Sequence, residues 1–116
     1  MSDRTEKAQP PTPEEVSTVC KEALDSIIGK NTYDYNEANK WIQQIVEAIR
    51  ANLVTMDRPY KFIVCCVVMQ NGIGAGMNIS STCYWDKTSD QYYAFRWENK
   101  SILAVCYVYA VAIPPN

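Results

Sequence analysis

The chain contains no histidine, and that absence removes much of the usual catalytic repertoire. A cysteine nucleophile has no imidazole to activate it. The five cysteines, Cys20, Cys65, Cys66, Cys83 and Cys106, include no Cys-x-x-Cys pair of the kind that holds zinc. Cys65 and Cys66 are neighbours on an expected strand and so face opposite ways. The better reading of these residues is as small buried hydrophobes. A basic excess is also missing. Eleven Lys and Arg against 13 Asp and Glu leave a net charge of -2, without the positive field that nucleic-acid binding needs. Long apolar runs are missing too. Phe62 to Met69 spans eight residues and Ile102 to Ile113 twelve, both well short of a bilayer crossing, so no membrane insertion is expected. No apolar run follows Met1, so no secretory leader is expected and the thiols are expected to stay reduced in a cytosol. Glycine is scarce, with four residues, three of them in Gly72-Ile73-Gly74-Ala75-Gly76. Their spacing does not fit a dinucleotide loop, and a strand follows where that loop needs a helix. No cofactor or metal is expected.

What the chain does contain is enough for one domain, with 116 residues of which 47% are hydrophobic. Residues 1–11 are polar, end in Pro10-Pro11 and are expected to form a disordered tail, leaving 12–116 as the single domain. Thr12-Pro13-Glu14-Glu15 carries an N-cap, a proline at the first helical position and the acid of a capping box. Val16, Val19, Cys20, Ala23, Leu24, Ile27 and Ile28 then mark one helical face, and Gly29 stops the helix. A second helix is expected from an N-cap at Asn36, with the stripe Ala38, Trp41, Ile42, Ile45, Val46, Ile49 and Leu53, closed by Asp57 and Pro59. Four strands follow at Tyr60 to Gln70, Ala75 to Trp85, Gln91 to Trp97 and Ser101 to Ile113, separated by turns at 71–74, 87–90 and 98–100. The order ααββββ implies an α+β fold, two N-terminal helices packed on a four-stranded antiparallel sheet.

Two helices cover one face of such a sheet, yet the first and fourth strands are apolar on both. In the first, Phe62, Val64, Cys66 and Val68 oppose Ile63, Cys65, Val67 and Met69. In the fourth, Leu103, Val105, Tyr107, Tyr109, Val111 and Ile113 oppose the smaller Ala104, Cys106, Val108, Ala110 and Ala112. A strand apolar on both faces is covered on both, and the simplest second cover is another copy related by a two-fold axis. The second strand differs, because Asn78, Ser80, Thr82 and Tyr84 alternate with Met77, Ile79, Cys83 and Trp85. Neither Lys nor Pro blunts it between Gly76 and Trp85, so its backbone suits the addition of a guest strand.

These residues resemble the Tctex-type dynein light chains. The likeness runs from about Glu14 to Ile113. It is carried by Val16-Ser17, Lys21-Glu22-Ala23, Ile28-Gly29, Asn39-Lys40-Trp41, Pro59-Tyr60-Lys61-Phe62-Ile63-Val64, Met69-Gln70, Gly74-Ala75-Gly76 and Cys83-Tyr84-Trp85-Asp86. Its most specific element is Arg96-Trp97-Glu98-Asn99-Lys100. The resemblance implies a non-catalytic subunit of a microtubule motor in the cytoplasm and cytoskeleton, cytoplasmic or axonemal. It also implies a homodimer whose second strand crosses to the partner's sheet. The dynein intermediate chain, or a cargo segment, then adds beside Asn78, Ile79, Ser80, Ser81, Thr82, Cys83, Tyr84 and Trp85. The dimer interface is expected at Met77, Ile79, Cys83, Trp85, Phe95 and Trp97. Two other readings are a purely structural dimeric subunit of another complex and a small cysteine-dependent enzyme. The missing histidine weighs against the enzyme.

Overall fold

The first helix begins where its sequence directs. In the computed structural model, which describes residues 9–72 and 91–113, helix α1 spans Pro13–Ile27 with Thr12 as N-cap. The Thr12 hydroxyl accepts the Glu15 N–H at 3.1 Å, and the Glu15 carboxylate accepts the Thr12 N–H at 2.9 Å. The reciprocal pair satisfies two amides that the helix start would leave bare. At the other end the Ile28 and Gly29 amides both donate to the Leu24 carbonyl. Gly29 sits at φ +53, where an added Cβ would lie 3.0 Å from the Asp25 carbonyl oxygen. Glycine is needed there.

Helix α2 spans Tyr35–Val54 and is capped by Asp34, whose carboxylate accepts the Asn36 N–H at 2.9 Å. The cap is therefore two residues before the expected Asn36. The acidic side chain faces the positive helix end, and Asn36 lies inside the first turn. The helix stops after Val54, and Asp57 reverses the chain at φ +54. Strand β1 follows at Tyr60–Gln70, β2 at Gln91–Glu98 and β3 at Ile102–Ala112. The strand expected at 75–85 lies outside the described residues. The three described strands form an antiparallel sheet in the order β1-β3-β2. All eleven residues of β1 pair with β3, from Tyr60 opposite Ala112 to Gln70 opposite Ile102.

Both helices lie on one face, α2 over β1 and α1 over β2. Beneath them the strands present Phe62, Cys66, Tyr93, Ile102, Ala104, Cys106, Val108 and Ala110, all buried. The small residues of central β3 let the helices approach closely, so Leu24, Ile45, Ile49 and Leu53 are fully enclosed. Burial of each contributes about 1.5–3 kcal/mol relative to exposure. Trp41, at 8% exposure, is part of this core, as its place on the helical stripe predicts.

Polar ties lock the ends of the domain. Pro11 is buried and its carbonyl accepts the Tyr93 hydroxyl. Arg58 reaches the carbonyls of Gln9 (3.3 Å) and Pro10 (3.1 Å) and the Glu15 carboxylate (2.9 Å). Gln9 to Pro11 therefore pack with the domain, which begins before Thr12. The rest of the expected tail, residues 1–8, lies outside the described residues.

Candidate functional site

The alternation of strand side chains puts Ile63, Cys65, Val67 and Met69 of β1 on the face away from the helices. Leu103, Val105, Tyr107 and Tyr109 of β3, and Tyr92, Ala94 and Arg96 of β2, share that face. Leu103, Val105 and Ala94 are buried there, but Ile63 is 54% exposed, Tyr109 47% and Val67 39%. Tyr92 stacks on Tyr107 with ring centres 6.3 Å apart and tilts against Tyr109 at 4.7 Å. Aromatic contacts of this kind hold the rings in place and leave an amphipathic surface, apolar in body and polar at the hydroxyls. A contiguous apolar area beyond the core marks an interaction surface. Among the described residues no strand lies beyond β1.

Charge sits at one end of the surface. The Arg96 guanidinium lies 3.5 Å from the Glu98 carboxylate, which also accepts the Asn71 side-chain amide at 3.1 Å. Their two-residue spacing on one strand brings Arg96 and Glu98 to each other. Arg96 Nε is buried without a hydrogen-bond partner among the described residues. Neither this orphaned donor nor the tyrosine cluster was visible in the sequence. The signal that could have found the cluster is the coincidence of Tyr107 and Tyr109 with Tyr92 on a facing strand.

Of the expected interface residues, Phe95 and Trp97 stand on the helix side of the sheet and pack against the core. The Trp97 indole N–H donates to Asp25 at 2.9 Å. Hydrogen bonds from Lys21 and then from Trp97 hold the Asp25 carboxyl below its usual range. Met77 and the stretch from Asn78 to Trp85 lie outside the described residues.

Cys20, Cys66 and Cys106 are buried as expected, but Cys65 is exposed, because it points to the sheet face away from the helices. The sulfurs of Cys66 and Cys106 are 3.7 Å apart. Hydrogen bonds with Cys20 and Cys66, together with burial, push the Cys106 thiol far above its usual range. A thiol that resists ionisation is a poor nucleophile. Alkylation of the native protein followed by mass mapping should leave Cys20, Cys66 and Cys106 unmodified until denaturant is added. Rapid native labelling of Cys106 would contradict a closed core. Among the described residues no cluster of acidic or thiol groups is placed to hold a metal, and no helix is long and apolar enough to cross a membrane.

Known proteins share this sequence pattern. The Tctex-1 family model matches residues 10–111. Dynein light chain Tctex-type 3 from Homo sapiens is 38% identical over 100 residues, covering 86% of this chain and 85% of that protein. Dynein light chain Tctex-type from Drosophila melanogaster is 37% identical over 100 residues, covering 86% and 89%. Its counterpart from Dictyostelium discoideum is 33% identical over 110 residues, covering 94% and 98%. The match runs from the docked Pro10 through both helices to the central strand, and so spans nearly everything that makes this sheet one-sided: the chain belongs to the Tctex-1 family.

Proposed function

We propose that this chain acts as a homodimeric light chain of the dynein motor, a cytoplasmic, microtubule-associated assembly, and captures the dynein intermediate chain or cargo segments as added β-strands. Light chains of this family are structural, non-catalytic subunits, and the relatives are named as dynein light chains. The observation that carries the dimer is the open sheet face, where Ile63, Val67 and Tyr109 are exposed together. A second copy covering about 800 Å² per partner would remove that surface from water. In this reading the two copies exchange the strand within 75–85, and the guest lies along Asn78 to Trp85.

The energetics suit a weak, paired contact. Five backbone hydrogen bonds at a net of about 1 kcal/mol each give about 5 kcal/mol. Micromolar binding needs about 8. Side-chain contacts supply the remainder, and two sites on one dimer add avidity.

Titration with a synthetic intermediate-chain segment, followed by calorimetry, tests the reading. Ser81→Pro removes one donor from the polar edge without altering the core. Binding should weaken by at least about fivefold for one lost bond, while light scattering still reports a dimer. Simultaneous loss of both would place Ser81 inside the dimer contact and move the guest site elsewhere.

A further inference from the structure

We propose that the recess between the α1–α2 loop and the β2–β3 turn is a binding site for a phosphate-class oxyanion. This site needs neither the dimer nor the exchanged strand, so it stands apart from the function proposed above. The recess has a volume of about 460 Å³ and is lined by Lys30, Asn31, Thr32, Asn99, Lys100 and Ser101. Among the described residues two lysines line it and no carboxylate does.

Its frame is fixed. The Asn99 side-chain amide donates to the carbonyls of Gly29 and Asn31, each at 3.0 Å, and its oxygen accepts the N–H groups of Ser101 (2.8 Å) and Ile102 (2.7 Å). The Ser101 hydroxyl accepts the Tyr33 N–H at 2.6 Å, which ties the far end of the loop to the same turn. Lys30 and Lys100 therefore project from two segments held at a set separation, so a ligand meets a formed site and little ordering entropy is lost.

The charge of the recess is not neutralised from within the fold. The nearby carboxylates are engaged elsewhere: Asp25 by Lys21 and Trp97, Asp34 by the start of α2, Glu98 by Arg96 and Asn71. Among the described residues neither Lys30 nor Lys100 takes part in an ion pair. The amides of Lys30, Thr32 and Lys100 likewise make no hydrogen bond there. Two ammonium groups and several unoccupied N–H donors around one concavity favour a compact ligand with several anionic oxygens. A phosphate dianion fits that description, either as the free ion or as a phosphorylated side chain.

The test is a nitrogen-15 NMR titration of the full chain with inorganic phosphate, repeated with a short phosphoserine peptide and with sodium chloride at equal ionic strength. The expected result is saturable movement of the Asn99 side-chain amide and of the Thr32 and Lys100 amides, with a dissociation constant on the order of 1 mM. Lys30→Ala and Lys100→Ala should each weaken it about fivefold, the upper range for an exposed ion pair. Both lysines are exposed, so these variants should fold normally, which unchanged dispersion elsewhere in the spectrum verifies. Tighter binding of the phosphoserine peptide would assign the site to a modified partner, and tighter binding of inorganic phosphate to the free ion. Shifts that stay linear throughout, that sodium chloride reproduces, or that survive loss of both lysines would overturn the proposal.

Discussion

In the proposed homodimer, Val67→Lys should separate the two copies, with light scattering falling to the mass of a single 13.2 kDa chain. Val67 pairs with Val105 in the middle of the β1–β3 ladder, on the face opposite the helices. It is 39% exposed, so a lysine there keeps its ammonium in water when the chain is alone, and the core beneath is untouched. In a two-fold dimer the same substitution enters twice. Each ammonium would lose its water without gaining a counter-ion, at a cost of about 3–5 kcal/mol. Even one such penalty weakens association by two to three orders of magnitude.

Cys65 supplies a second reading of the same event, since it stands on this face one strand over from Tyr107. In the wild-type dimer it should alkylate slowly, and in the Val67→Lys variant quickly, while Cys66 behind it stays protected in both. A variant that remains dimeric, with Cys65 as shielded as before, would show that the two copies meet through another surface. Some thermal stability should be lost with the partner, because association holds the folded state by mass action. The melting temperature should accordingly depend on protein concentration in the wild type and not in the variant.

Much of this architecture was legible because local chemistry and tertiary need coincide. The bounds of β1 follow from β-branched alternation between Pro59 and the Asn71-Gly72 turn, and Gly72 does take a positive φ of +92. The capping box at Thr12 announces α1 outright. The start of α2 was harder to read, because Asp34 and Asn36 are both competent caps and the apolar stripe begins only at Ala38. Which face of the sheet the helices cover was not assigned from the sequence; they lie over the side of the central strand that carries Ala104, Cys106 and Ala110, where small residues accept close backbones. The same alternation assigns Phe95 and Trp97 to that side. What the sequence hid are ties between residues far apart in the chain. Nothing near Pro11 signals that a tyrosine 82 residues on will hold its carbonyl, and nothing near Arg58 points to Gln9. The stretch chosen as the guest site rests on its polar alternation and the family likeness alone.

Asn99→Ala should cost the domain about 2–4 kcal/mol, far more than its half-exposed turn position suggests. Four side-chain hydrogen bonds disappear together. Those to water-accessible partners are worth about 1 kcal/mol or less each, but the Ile102 amide belongs to a fully buried residue and is left without its acceptor. Against a total stability of about 5–15 kcal/mol, such a loss is large and readily measured by urea denaturation. Asn99→Asp separates the two halves of the bracket. The new carboxylate can still accept from Ser101 and Ile102, but it turns an oxygen toward the carbonyls of Gly29 and Asn31, where a donor is required. Those carbonyls disfavour the charged form and so raise the new acid's folded-state pKa above its unfolded value. The sign follows: the variant's deficit should be greatest at neutral pH and shrink as pH falls through that raised value, when the protonated acid donates to one carbonyl. Wild-type protein has no such group at position 99, so the difference between the two denaturation curves isolates the effect. A stability change under about 0.5 kcal/mol for Asn99→Ala, the range of an ordinary surface substitution, would mean that the loop and the turn keep their positions without the bracket. The oxyanion recess would then lose the rigidity argued for it.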